Sequence, residues 1–110
     1  MRLMTLMICA VLLLGGHWAE ADARPAPGMP AGTLSLGEVR RVVEGRYEGR
    51  ILRVRVDTPR SHERRAGATA IYEIMLLTPQ EAVIRIRLDA QAGEFLTVEG
   101  VGQVEARRRE

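Results

Sequence analysis

The sequence predicts an α+β domain in which one N-terminal amphipathic helix packs on a three- to four-stranded antiparallel β-meander. Two observations support this prediction: a helix-start signal at residues 35–38, and a series of strand-like segments separated by turn residues between positions 50 and 98. Alternation of apolar and polar residues is typical of a half-buried strand, whereas apolar spacings of three and four residues are typical of a helix.

The predicted helix begins after Ser35, because residues 35–38 read Ser-Leu-Gly-Glu and fit a capping box. In this motif the serine hydroxyl accepts a hydrogen bond from the glutamate amide, and the glutamate side chain reaches back to the serine amide. Val39 and Val43 follow on one helical face, and Gly49 is the expected C-terminal stop. We therefore expect an amphipathic helix of about three turns.

Two segments are predicted to form half-buried strands, because apolar and charged residues alternate along them. In residues 50–57 we expect Leu52, Val54 and Val56 to face the core. In residues 83–88 we expect the isoleucine and leucine side chains to point inward and the two arginines to point to solvent.

Two further segments complete the predicted sheet. Residues 71–77 are nearly all apolar, which indicates a central strand, and residues 95–98 predict a short final strand. Residues 58–68 predict a long polar loop, and residues 78–81 have the composition of a type I turn. In the last turn, the Asp89 side chain is expected to accept hydrogen bonds from backbone amides about two residues on.

The first 23 residues are predicted to be a signal peptide, which implies a periplasmic or secreted protein. Residues 3–14 are an apolar run, and cleavage is expected after Ala23, with the position after Ala21 as an alternative. A membrane anchor is disfavoured because spanning a bilayer needs roughly 20 apolar residues. Cys9 raises a lipoprotein alternative, which the preceding isoleucine disfavours.

Composition narrows the classes of function further. Removal of 23 residues from 110 leaves 87, enough for one small domain. The 16 basic and 14 acidic residues fall to 15 and 12 when Arg2, Glu20 and Asp22 are removed, which gives a net charge of +3. This charge is too small to indicate nucleic-acid binding. The mature chain has no cysteine, so disulfides, a thiol nucleophile and cysteine-ligated zinc are excluded.

The ends of the mature chain are predicted to lie outside the domain. Residues 24–33 contain three prolines and two glycines and predict a linker, and residues 100–110 predict a charged flexible tail. The signal peptide is expected to contact the membrane before it is cleaved. A further membrane contact is expected only under an alternative hypothesis, in which residues 107–109 bind an anionic membrane surface. A domain of this size is marginally stable, which suggests reliance on a partner or on self-association.

The chain resembles a PepSY domain over residues 34–99. The most specific parts of the resemblance are Tyr72-Glu73-Ile74 and Leu88-Asp89-Ala90-x-x-Gly93-Glu94; residues 34–36 and 49–52 agree with it. The turn at residues 78–81 and the length of the loop at 58–68 depart from the family pattern. The motif positions Tyr72, Asp89 and Gly93 are expected to be structural. Tyr72 is expected in the core rather than in a ligand site, and Asp89 is expected to form a turn with Gly93 rather than to serve as a metal or catalytic carboxylate.

The resemblance implies a helix on an antiparallel sheet and an exported, non-catalytic module that binds a protein. It further suggests that this module modulates or inhibits a peptidase in the cell envelope. The alternative is an accessory or structural envelope protein that partners a membrane sensor.

Five charged residues form the candidate partner-binding surface: Arg53, Arg55, Glu73, Arg85 and Arg87. In a meander the first and third strands flank the second, so the four arginines are expected to surround Glu73 on one face of the sheet. One interpretation is a docking surface for a peptide or a lipid headgroup. The favoured interpretation is a solvated face of cross-strand ion pairs, which stabilise a sheet by roughly 0.2–1 kcal/mol each.

Familiar catalytic constellations are not expected. His62 and Glu63 begin like the zinc-protease helix motif, but Ala66 stands where the second histidine is required. Ser61 beside His62 is not a triad, because sequence neighbours do not supply the geometry between nucleophile and base. We therefore expect no enzyme activity, no metal and no cofactor.

Overall fold

The computed structural model describes residues 23–108, so almost all of the predicted signal peptide lies outside the described residues. The described elements, in chain order, are α1 (Leu36–Arg46), β1 (Arg50–Asp57), α2 (Ser61–Arg65), β2 (Ile71–Leu77), β3 (Val83–Asp89), β4 (Phe95–Glu99) and α3 (Gln103–Ala106). The strands form one antiparallel sheet in the order β1-β2-β3-β4. The predicted α+β class with an antiparallel sheet is confirmed. Between residues 23 and 108, no helix has the length and apolar content needed to cross a membrane.

The capping box at the start of α1 is present as predicted. The Ser35 hydroxyl accepts from the Glu38 amide at 3.1 Å, and the Ser35 amide donates to Glu38 Oε1 at 3.4 Å. The helix ends before the predicted stop at Gly49, because Tyr47 is already extended and pairs with Arg107 in an antiparallel bridge.

The core lies between α1 and one face of the sheet. Val39 and Val43 of α1 are fully buried and belong to the same apolar cluster as the central strands. The largest strand members of this cluster are Tyr72, Ile74, Leu76, Ile84, Ile86 and Leu88. Full burial of one such aliphatic side chain contributes about 1.5–3 kcal/mol, so this cluster supplies the main favourable term of folding.

A bulge in β1 alters the predicted pattern of inward and outward residues. The pairing with β2 shifts between Ile51 and Arg53, which leaves Leu52 as an extra residue that is 48% exposed. A bulge changes the face of the residues on one side of it. Ile51 and Val54 therefore pack against the core, and the prediction that Leu52 faces the core is wrong. Val56 lies on the core-side face opposite Tyr72, as predicted, but its position on the edge strand leaves it 41% exposed.

The segment predicted as an N-terminal linker packs on the domain. Residues 24–33 contain no helix or strand, but Ala26 and Met29 pack against the core. The Ala26 amide donates to the Tyr72 hydroxyl at 3.1 Å, and that hydroxyl donates to the Leu34 carbonyl at 2.8 Å. The segment is thus joined to the second strand rather than simply spacing the domain from its N-terminus.

The segment predicted as a charged flexible tail also packs on the domain, through α3. Ala106 is fully buried in the core, and its carbonyl accepts from the Glu48 amide at 2.7 Å. The Arg108 amide donates to the Arg46 carbonyl at 2.7 Å. The sequence pattern does not predict this contact, because Ala106 is small and its neighbours in the chain, Glu105 and Arg107, are polar. Residues 109 and 110 lie outside the described part of the chain.

Candidate functional site

The face of the sheet opposite α1 carries the predicted partner-binding residues. The register places Arg55 and Arg87 on either side of Glu73. It places Arg53 and Arg85 on either side of Met75, two residues further along β2. The five predicted residues therefore share one face of the sheet. We call this the open face.

Arg87 is nevertheless buried, although the strand pattern predicts that it points to solvent. Its side chain is about 1% exposed, and that of Glu73 is about 3% exposed. The cause is α2, which lies within the segment predicted as a loop and places Glu63 against Arg87. The prediction of a solvated face is therefore wrong for Arg87 and Glu73, but it holds for Arg55 and Arg85, which are half-exposed.

Local signals explain why α2 forms where a loop was expected. The Glu63 carboxylate accepts from the Arg60 amide at 2.7 Å, which satisfies one of the unpaired donors at the helix start. Arg64 and Arg65 then place positive charge in the last turn, where the helix dipole favours it. Glu63 followed by Arg64 and Arg65 is a sequence signal that could have indicated a short helix here. Glu63 is the one buried residue of α2, so no apolar periodicity marks it.

Every N–H group of the Arg87 guanidinium has an oxygen partner. Nε and Nη2 donate to the two Glu63 carboxylate oxygens at 2.9 and 3.0 Å. Nη1 donates to Asp57 and to Glu73, each at 2.7 Å, and Nη2 also donates to the Thr58 carbonyl at 3.0 Å. A guanidinium has five N–H donors, so these contacts use its full capacity. Arg87 has no donor left for a ligand.

Two half-exposed arginines complete the charge balance of this group. Arg55 Nη2 lies 3.0 Å from Glu73 Oε1, and Arg85 Nε lies 3.8 Å from the same oxygen. Together with Arg87 they supply three positive charges against three carboxylates. We call these six residues the arginine cluster: Arg55, Asp57, Glu63, Glu73, Arg85 and Arg87.

Three members of the arginine cluster, Asp57, Glu63 and Arg87, have pKa values shifted away from neutrality. Hydrogen bonds from Arg87, with a further bond from the Arg60 amide, hold the pKa of Glu63 at about 2 despite the opposing effect of burial. The hydrogen bond from Arg87, with another from the Thr58 amide, lowers the pKa of Asp57. The bond to Glu63 raises the pKa of Arg87. These pKa values lie far from neutrality, which suits a structural ion pair and does not suit a proton-transfer group.

His62 is connected to the arginine cluster through the Thr97 hydroxyl. His62 Nε2 lies 3.0 Å from Thr97 Oγ1, and Thr97 Oγ1 donates to Glu63 Oε2 at 3.2 Å. Since the Thr97 hydroxyl donates its proton to Glu63, it accepts from His62. Within residues 23–108, no group of three or more histidine, cysteine or acidic side chains is arranged to hold a metal ion.

The predicted turn after β3 has the expected contacts. Asp89 Oδ1 accepts from the amides of Gln91 and Ala92 at 2.9 and 3.3 Å. Gly93 has a φ of 72° and donates its amide to the Asp89 carbonyl at 2.8 Å. The Asp89 side chain therefore holds the turn.

The outer edge of β1 is a second candidate site. β1 has eight residues and lies at the end of the strand order, where it pairs with β2 alone among the described elements. Arg50 and Arg53 of this strand are exposed, and within the described chain neither makes an ion pair. This edge therefore presents two exposed arginines and backbone groups that have no partner strand in the described part of the chain.

Comparisons of the chain with protein-family models, with curated proteins and with solved structures found no match. The resemblance to PepSY domains therefore stays a prediction from the residues quoted above.

Proposed function

We propose that the protein is an exported, non-catalytic binding module of the PepSY type that modulates or inhibits a peptidase in the cell envelope. The observation that supports binding is the open edge of β1, which spans eight residues and carries exposed arginines. An unpaired edge presents a row of N–H and C=O groups to another chain. Addition of a strand to such an edge is a common way to bind an extended segment.

The proposal favours binding over catalysis because the buried acidic groups already have structural partners. Glu63 and Glu73 are bonded to Arg87, and Asp89 accepts two backbone amides of its own turn. The pKa of Glu63 is lowered to about 2, far from the value that a general acid or base needs near neutral pH.

The fold assignment and the location are parts of the same proposal. A single long helix on a β1-β2-β3-β4 meander agrees with what the family resemblance implies. The apolar run and small residues before Ala23 support export through a cleaved signal peptide. Expression of the full chain, followed by fractionation and N-terminal sequencing, tests both the compartment and the cleavage site.

The test of the function is an inhibition assay. The purified protein is added in stoichiometric amounts to each secreted or envelope peptidase of the organism that encodes it, and the cleavage rate is measured. We expect at least one peptidase to be slowed. Unchanged rates across the set would contradict peptidase modulation, and crosslinking to a sensor ectodomain would support the accessory role instead.

A further inference from the structure

We propose that the β1 edge binds an extended segment whose residues alternate between acidic and apolar. This inference rests on the proposed binding function and deepens it, because it names the chemistry of the partner. The regular part of the edge runs from Arg53 to Asp57, after the bulge at Leu52. We call residues 53–57 the docking edge.

The outer side of the docking edge has no backbone partner among residues 23–108. Its pairing runs along β2, and no other described backbone group bonds to residues 53–56. Successive side chains of an added strand point to opposite faces of the sheet. The two faces next to the docking edge therefore decide which residues the partner needs.

The open face next to the docking edge carries two positive charges and one negative charge, and the negative one, Asp57, is already bonded to Arg87. Arg53 and Arg55 lie on this face, since the register pairs them with Met75 and Glu73. Arg55 is held at Glu73, whereas Arg53 makes no ion pair within residues 23–108. Opposite charges on directly facing strand residues attract, and like charges repel. The residues of the partner that face Arg53 and Arg55 should therefore be acidic.

The other face next to the docking edge is a groove lined by five apolar residues and Arg40. It has a volume of about 380 Å³ and lies between β1, α1 and the N-terminal segment. Its lining residues are Ala26, Pro27, Leu36, Arg40, Ile51 and Val54. Val56 continues this face and is 41% exposed. The partner residues that point to this side should be apolar, because they cover Val56 and fill the groove.

A second copy of the same chain fits this edge poorly. Full antiparallel pairing of two docking edges places Arg55 opposite Arg55 of the other copy, and facing like charges destabilise a strand pair. It also places Arg53 opposite Asp57, but the Asp57 carboxylate is already bonded to Arg87 at 2.7 Å and is a poor partner for a second arginine. Charged residues on an edge strand are a common protection against such self-pairing. The same arginines attract an acidic strand. The charge pattern therefore favours an acidic strand over a second copy, because only the acidic strand brings carboxylates that are not already bonded to an arginine.

The test uses the full chain, expressed from Met1 and purified after natural processing, and two blocked eight-residue peptides. The probe peptide alternates glutamate and valine, and the control peptide alternates lysine and valine. Titration followed by backbone amide NMR is expected to shift the β1 amides with the glutamate peptide and to leave them unchanged with the lysine peptide. Equal shifts with both peptides would overturn the proposed charge selection.

Two charge-reversal variants locate the site. Arg53→Glu should weaken binding of the glutamate peptide by about five-fold and should strengthen binding of the lysine peptide. Arg41→Glu is the matched control, because Arg41 is an exposed arginine on α1 and is not among the residues that line the groove. Equal effects of the two variants would overturn the assignment to β1, as would a concentration-dependent dimer whose interface protects β1.

The peptide titration and the inhibition assay fail independently. If a peptidase is inhibited while the glutamate peptide leaves the β1 amides unchanged, the inference about the partner is wrong and the proposed function stands. If the peptide binds at β1 while no peptidase is affected, the docking edge stands and the role in peptidase modulation is wrong.

Discussion

Arg87 and Glu63 form a bidentate ion pair in which both side chains are buried. Arg87 comes from β3 and Glu63 from α2, and the two N···O distances are 2.9 and 3.0 Å. A helix as short as α2 is not stable alone. Since Glu63 is its one buried residue, this pair is the principal attachment of α2 to the sheet.

Replacing Glu63 by glutamine should destabilise the fold strongly. Glu63→Gln keeps the size of the side chain but leaves the buried Arg87 charge without its bidentate partner, a loss we expect to cost about 3 kcal/mol. Urea unfolding followed by circular dichroism measures the change. Glu99→Gln is the matched control, because Glu99 pairs with Arg60 and Arg85 in a half-exposed position and should cost less than about 1 kcal/mol. Similar losses for the two variants would contradict a special role for the buried pair.

Lysine should not substitute for Arg87. Arg87→Lys keeps the charge, but an ammonium group has three donors and no planar fork, so at least two acceptors lose their partner. We expect a loss of about 2 kcal/mol or more in the free energy of unfolding. Arg53→Lys removes a guanidinium that makes no ion pair within the described chain and should stay within about 0.5 kcal/mol of the parent. Thermal unfolding of both variants checks the difference.

Acid should destabilise the protein through the arginine cluster. The folded-state pKa of Glu63 is lowered from 4.5 to about 2, and that of Asp57 is lowered as well. A lowered folded-state pKa contributes stability that is complete above the unfolded-state value and is lost as pH falls toward the folded-state value. The free energy of unfolding should therefore fall between about pH 5 and pH 2. Glu63→Gln should show a shallower fall, and an unchanged slope would exclude Glu63 as the source.

The Tyr72 hydroxyl should hold the N-terminal segment in place. Tyr72→Phe removes the donor to the Leu34 carbonyl and the acceptor of the Ala26 amide, which should cost about 1–2 kcal/mol. It should also speed cleavage of residues 24–33 in limited proteolysis. Tyr47→Phe is the control, because Tyr47 is equally buried but its hydroxyl bonds to no residue within 23–108. Equal cleavage rates in the two variants would contradict the proposed attachment.

Two glycines near the end of α1 should respond to alanine in opposite directions. Gly49 has a φ of 138°, and an added Cβ would collide with the Leu77 carbonyl oxygen, so Gly49→Ala should destabilise by more than about 1 kcal/mol. Gly45 lies inside α1 with no atom within 4 Å of an added Cβ. Gly45→Ala should therefore stabilise by about 0.5–1 kcal/mol. Chemical denaturation decides the signs, and a loss at Gly45 would contradict the open space around it.

The elements that the sequence predicts correctly depend on neighbouring residues. The capping box at Ser35 and the turn at Asp89 are both set by side chains that bond backbone groups two or three residues away. Strand alternation likewise repeats within a few residues. Local patterns of this kind can be recognised without knowing how the chain packs.

The elements that the sequence misses depend on distant contacts. Arg85 and Arg87 occupy equivalent positions in an alternating strand, yet one is half-exposed and the other is buried. The difference comes from Glu63, 24 residues earlier, which covers the second and not the first. The bulge at Leu52 has no glycine to mark it. Periodicity reports which face of a strand a residue occupies, and it does not report what covers that face.

The position of Ala106 in the core has a consequence for biosynthesis. Ala106 packs in the same cluster as Val39 and Val43 of α1, although most of the domain separates them along the chain. During translation, the helix and all four strands emerge before the residue that completes their core. The nascent chain therefore cannot complete its core until Ala106 has been made, and until then part of the apolar surface of α1 and the sheet stays uncovered.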